Sequence, residues 1–162
     1  MNNQSTSNVK TSPAWLKPAT NQLSPRKRLG VTAQEFREMG RIGGMYYNRG
    51  DLGKARTVFE GLVALDPESS DAHAALGALF TRTLENELAL LHLNRAIELN
   101  EKQIAAYVNR AEVRLRKQQG EAAVADLKRA IELDPRQKNA ASNRARAMVM
   151  GIHDALEAKS VM

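Results

Sequence analysis

The chain has 162 residues, a formal net charge of +6 and no cysteine, a length that suits one domain with a single continuous core. Lack of cysteine excludes disulfides, zinc-thiolate sites and thiol nucleophiles, and fits a reducing, cytoplasmic setting. Every apolar stretch is broken by charge well short of the about eighteen residues that a membrane span needs, and residues 1–30 hold no apolar signal core, so no membrane insertion is expected.

Residues 1–30 are rich in Ser, Thr, Asn, Gln and Pro and carry Lys10, Lys17, Arg26, Lys27 and Arg28 with no acid. Such a segment cannot bury enough surface to offset its ordering entropy and is expected to be a disordered basic tail. The tail also concentrates the charge: residues 31–162 hold 19 basic and 18 acidic side chains. Five cations without interleaved aromatic residues support only weak, salt-sensitive attachment to nucleic acid or to an anionic membrane. Neither is expected as the partner, and a solubilising role suits the tail better.

Order is expected from Val31. Thr32 and Glu35 have the spacing of a capping box, and Val31 with Phe36 that of a hydrophobic staple. From there the sequence repeats every 34 residues. Val63-Ala-Leu-Asp-Pro67, Ile97-Glu-Leu-Asn-Glu101 and Ile131-Glu-Leu-Asp-Pro135 are equivalent helix ends. Counting units from residues 36, 70 and 104, small residues recur at Gly43, Gly77 and Ala111 and at Ala55, Ala89 and Ala123. A third such position reads Leu62, Ala96 and Ala130, and a large residue follows the second set at Phe59, Leu93 and Leu127. Two antiparallel helices cross closely only where one presents Gly or Ala and a bulky neighbour fills the space beside it. Pro67 and Pro135 break the chain between units. In the third unit Arg110 and Arg114 replace the apolar pairs Ile42/Tyr46 and Leu76/Phe80, which predicts a more exposed or turned first helix. After Pro135, Ala141, Ala145, Met148, Ile152 and Leu156 share one face of a last, capping helix.

These spaced residues resemble the tetratricopeptide family over about 36–135. The expectation is an all-α fold of three tandem helix-turn-helix repeats forming a short right-handed solenoid with a capping helix: repeat one over 31–69, repeat two over 70–103, repeat three over 104–137 and the cap over 138–160. The trio of repeats, Phe59-Glu-Gly-Leu-Val-Ala-Leu-Asp66, Leu76-Gly77-Ala78 and Leu62 in a position where the general repeat prefers Ala are similar more narrowly to the class II chaperones of type III secretion systems. That resemblance implies a cytoplasmic bacterial chaperone that holds translocator-type clients, and it admits a homodimer. Where those chaperones carry aromatic residues on the groove face of the first repeat, this chain has Gly40, Gly44 and Tyr47. The alternative is a general adapter or scaffold in a stable assembly.

In this family the first helix of each unit faces the concave groove. The resemblance therefore implies a protein or peptide partner held over small residues such as Gly40, Gly44, Ala74, Ala75 and Ala78. Donors would come from Arg41, Asn48, Arg82, Asn109 and Arg116, and apolar anchors from Tyr47 and Leu115. Trp15-Leu16, within Pro13-Ala-Trp-Leu-Lys-Pro18, reads either as a short docking motif or as a segment that folds back into this groove. Lys and Asn at set positions of the first repeat clamp a carboxyl terminus in some family members; here those positions are Gly40 and Gly44, so the clamp is absent.

No enzyme is expected and no cofactor. His73, His92 and His153 have no metal-ligand spacing, and a lone His on a helix face is more often a packing or surface residue. Phosphate loops, nucleophile elbows and paired carboxylates are absent from the sequence. Gly40, Gly43 and Gly44 lie inside a helix rather than after a strand, which assigns them to close helix approach.

Overall fold

The computed structural model describes residues 23–160, and of 156–160 only the backbone. They form helices α1 (Pro25–Arg28), α2 (Ala33–Arg49), α3 (Leu52–Leu65), α4 (Ser70–Arg82), α5 (Asn86–Leu99), α6 (Ile104–Arg116), α7 (Gly120–Glu132) and α8 (Ala140–Ser160). Helices pair as α2/α3, α4/α5 and α6/α7, each pair stacks on the next, and α8 lies against α6 and α7. This is the repeat fold with its cap. α2 starts as its sequence dictates: the Thr32 hydroxyl accepts from Glu35 N at 3.2 Å while Thr32 N donates to the Glu35 carboxylate at 2.8 Å. Hydrogen bonds from the Thr32 backbone and side chain hold the Glu35 carboxyl below the usual carboxylate range.

One turn geometry closes all three hairpins. Near the end of each first helix one residue has a left-handed backbone: Gly50 at φ 85°, Leu84 at 64° and Gln118 at 60°. The following amide reaches back across five residues, from Asp51 to Tyr46 O, Glu85 to Phe80 O and Gln119 to Arg114 O. This satisfies carbonyls that a helix end leaves open. Only the first repeat uses glycine, so Leu84 and Gln118 carry the strain that a Cβ imposes there.

The core follows the small and large positions. Ala55, Ala89, Ala123, Ala96, Ala130, Leu93 and Leu127 are fully buried, and Phe59 and Leu62 nearly so. A Cβ on Gly43 would come 2.4 Å from Phe59 Cε1, and one on Gly77 would come 2.7 Å from Leu93 Cδ2, so both positions demand glycine for the crossing. The assignment of all three α2 glycines to close helix approach needs correction. A Cβ on Gly44 would meet nothing within 4 Å, and one on Gly40 only Leu62 Cδ1 at 3.8 Å. Those two leave open space on the surface of α2.

Two other expectations change. Order begins before Val31, because α1 folds against α3. Arg26 Nε lies 3.1 Å from Asp66 Oδ2 in an ion pair, and its guanidinium sits 5.1 Å over the Phe36 ring. The expectations for residues 1–22, Trp15-Leu16 included, lie outside the described residues. The third repeat's first helix is neither turned nor stripped of cover: Arg110 donates from Nε and Nη2 to both oxygens of Asp126, at 2.9 and 2.7 Å, and Arg114 Nη1 adds a bond at 2.7 Å. Asp126 is buried on α7. It occupies the unit position of Val58 and His92, so repeat three has replaced an apolar or neutral trio by an ionic one in the same register.

α8 is anchored through Asp134, whose carboxylate accepts from Asn139 N at 2.8 Å and from the buried Ser142 hydroxyl at 2.5 Å. The Ser142 bond, followed by that from Asn139, holds the Asp134 carboxyl below its usual range. Ala141, Ala145, Met148 and Ile152 pack on the third repeat as expected.

Candidate protein-binding groove

α2, α4, α6 and α8 succeed one another along one side of the stack. A hollow of about 240 Å³ opens there between α2 and α4, lined by Phe36, Arg37, Gly40, Leu62, Asp71, Ala72 and Ala75. Its existence follows from bulk. Repeat one pairs Gly40 with Leu62, where repeat two pairs Ala74 with Ala96 and repeat three Val108 with Ala130. Gly40 withholds a side chain, and the Leu62 side chain from α3 forms an apolar floor below the opening. Arg37 and Asp71 place opposite charges at the rim.

Of the residues expected in the groove, several hold the stack together. Arg82 Nη1 donates to Tyr47 O at 2.7 Å, and its guanidinium lies 4.9 Å over the Tyr47 ring. One repeat later Arg116 Nη2 donates to Thr81 O at 3.0 Å, while its other nitrogens reach Asn86 and Glu112. These arginines cap the carboxyl end of the preceding first helix, where charge of this sign is favoured. Asn109 is buried and accepts from Arg144 Nη2 at 2.6 Å. Arg82, Arg116 and Asn109 are therefore joints between neighbouring units, not uncommitted donors. Arg41 is exposed and pairs with Glu38 at 2.6 Å, which draws the Glu38 carboxyl down. Asn48 is exposed. Tyr47 is half-buried and packs on the first core cluster. Leu115 lines a different hollow, of about 520 Å³, with Val124 and Ala125 of α7 and Ile152 of α8.

Gly40 and Ala75 line the hollow as expected of groove residues, whereas Phe36, Leu62 and Ala72 were not among those expected from sequence. Leu62 in a small-residue position, facing Gly40, was the available signal for them. Nor did the sequence pair the histidines. His73 and His92 are buried with their Nδ1 atoms 3.0 Å apart, and His73 Nε2 lies 3.0 Å from Pro67 O. A carbonyl only accepts, so His73 donates from Nε2 and accepts at Nδ1 from His92. Burial, then the neighbouring His73, pushes His92 down to about 4, and burial lowers His73 as well. His92 borders a third hollow, of about 440 Å³, with Val63, Leu76 and Phe80.

Among the described residues no group of three or more His, Cys, Asp or Glu is placed to hold a metal ion, and no helix is long and apolar enough to cross a membrane.

Residues 104–137, the third repeat, match the family profile of the tetratricopeptide repeat. Among solved structures, the type III secretion translocator chaperone SycD of Yersinia enterocolitica is similar at 20% identity, with a TM-score of 0.71 over 80% of this chain and 98% of that one. PcrH in complex with the chaperone binding region of PopD matches at 21% identity and a TM-score of 0.67, covering 78% and 96% of the two chains. The first tetratricopeptide domain of Spaghetti (RPAP3), bound to the HSP90 peptide SRMEEVD, matches at 24% and 0.63, covering 76% and 97%. A search of curated proteins finds no match. The third repeat thus matches the tetratricopeptide model, and the fold of three helix pairs with a capping helix resembles the structures of type III secretion translocator chaperones.

Proposed function

We propose that this protein binds a segment of a protein partner along the α2/α4/α6 face, and that it serves as a cytoplasmic, non-enzymatic chaperone for a translocator-type client of a type III secretion system. The observation that carries the groove reading is the apolar hollow over Gly40 and Leu62, an open recess in a surface otherwise knitted by inter-repeat hydrogen bonds. It is the right size for one large side chain, with Arg37 and Asp71 placed to meet a peptide backbone. Tyr47 and Asn48 extend the same face. The secretion reading draws its support from the likeness to SycD and to PcrH with its PopD segment. A clamp for a carboxyl terminus is not part of the proposal, because Gly40 and Gly44 stand where such a clamp needs donors.

A general adapter in a stable assembly is the second reading, favoured by the third repeat, whose groove residues are tied to their neighbours. Copurification from the native cell separates the two. A client that is itself exported supports the chaperone, and a resident multi-subunit complex refutes it in favour of the adapter.

A further inference from the structure

The first helices of successive units meet, α2 with α4 and α4 with α6, whereas the backbones of the second helices α3 and α5 do not. The stack therefore opens on the side away from the groove. The hollow of about 440 Å³ lies in that opening, walled by Val63 of α3 and Leu88 of α5 and floored by Leu76 and Phe80 of α4. One unit later the matching residues are charged: Arg110 and Arg114 stand where Leu76 and Phe80 do, and Arg110 reaches both Asn94 and Asp126. The outer face between α3 and α5 is thus apolar and open where its successor is ionic.

Two leucines border this opening. Leu84, in the turn that leads into α5, has a left-handed backbone at φ 64° and is 66% exposed, in the place that repeat one gives to Gly50. Leucine is the worse choice there on both counts, strained where glycine is not and apolar towards water. Leu88, in the first turn of α5, lines the hollow and is still 37% exposed. Charge around them is lopsided. Arg56 on the rim is held by two carboxylates, Glu60 at 2.8 Å and Glu85 at 3.4 Å, so the cluster carries one negative charge. Residues 31–103, which supply α2 to α5, hold 8 basic and 11 acidic side chains. Apolar side chains in a net negative surround complement a helix with leucine-sized residues on one face and Lys or Arg beside them. A second copy fits less well, because a two-fold pair sets the same carboxylates against each other. An anionic lipid surface meets the same repulsion.

We propose that this outer face, formed by Leu84, Leu88 and the hollow between α3 and α5, is a second docking surface, and that its partner is a basic amphipathic helix of another protein. The surface lies on the far side of the stack from the groove, so the two sites are occupied independently.

The probe is a synthetic helix-forming peptide of Leu and Lys, with leucines at i and i+4, titrated into the full chain labelled at leucine methyl groups. The methyl signals of Leu84 and Leu88 should shift while those of Leu62, on the groove floor, stay in place. A version with Glu for every Lys should bind about fivefold or more weakly. Leu84→Gly and Leu88→Ala should each weaken the Lys peptide about fivefold or more, and Leu84→Gly should keep or raise the urea midpoint, since glycine accepts the left-handed backbone. Affinity unchanged in both variants overturns the proposal, as does equal binding of the Glu peptide. Shifts confined to Leu62 overturn it while supporting the groove reading. Leu84 and Leu88 signals that move with protein concentration alone assign the face to a second copy. Signals broadened by phosphatidylglycerol vesicles but not by the peptide assign it to a membrane. Either result overturns the proposal.

Discussion

At the scale of single residues, the buried histidine pair makes stability depend on pH in a defined window. The fold disfavours a proton on either ring: protonating His73 turns its accepting Nδ1 into a donor and breaks the 3.0 Å contact with His92 Nδ1, and burial opposes a charge on His92. The unfolded chain binds the proton near pH 6.5 and the folded His92 only at about 4, so the unfolded state takes up more protons between those values. This contribution to stability is complete above pH 6.5 and falls as pH drops towards 4. Charges around the pair belong to Arg95 and Glu98 on α5 beside His73, and to Arg56 and Glu60 of α3 on the rim of the hollow that His92 borders. Urea titrations at about pH 7.5 and about pH 5 should show a lower midpoint in acid, and a His73→Leu/His92→Leu variant should lose most of that difference. The glycines give a second residue-scale contrast. Gly77→Ala drives a Cβ into Leu93 and should cost about 1–3 kcal/mol. Gly44→Ala meets nothing and should add up to about 1 kcal/mol through helix propensity. Denaturant melts of the two variants moving in opposite directions is the expected outcome.

At the scale of elements, the third repeat shows what a single sequence reveals and what it hides. Periodicity located the helix pairs, because Gly43, Gly77 and the buried alanines obey a spacing that only close helix crossing requires. The ionic trio was not legible. Arg110 and Arg114 signal exposure when read alone, and Asp126, sixteen and twelve residues on, becomes their partner only once α7 folds back on α6. The inter-repeat bonds of two expected groove donors were hidden for the same reason: Arg82 and Arg116 reach carbonyls 35 residues earlier, contacts no local window contains. Conversely, the hollow over Gly40 could have been found by comparing the paired bulk of the three units. The trio carries its own prediction. Asp126→Ala leaves two guanidinium groups, 14% and 24% exposed, without their shared carboxylate and should cost about 3 kcal/mol. Transplanting the repeat-two residues, as Arg110→Leu/Arg114→Phe/Asp126→His, should restore much of that stability, since a well-packed set without ion pairs takes their place in the same register. Thermal melts of the two variants compare them; equal losses would mean that the trio specifies packing that an apolar core cannot reproduce.

At the scale of the whole molecule, charge is sorted along the stack. The first two repeats are net acidic, while the tail and the third repeat with its cap are net basic, and the open apolar recess lies in the acidic half. A partner segment that places a large apolar side chain over Leu62 satisfies both features, and the joints formed by Arg82, Arg116 and Arg144 keep the rest of the face rigid enough to receive it. The most direct measurement is a calorimetric titration of the copurified partner's binding segment into the wild type and into Gly40→Leu, with Gly61→Leu, a substitution on α3 where a Cβ meets nothing, as the control. Gly40→Leu should weaken binding about tenfold or more, as loss of a central anchor does, with the control unchanged. Equal affinity in all three proteins would contradict the account and move the binding surface away from the groove.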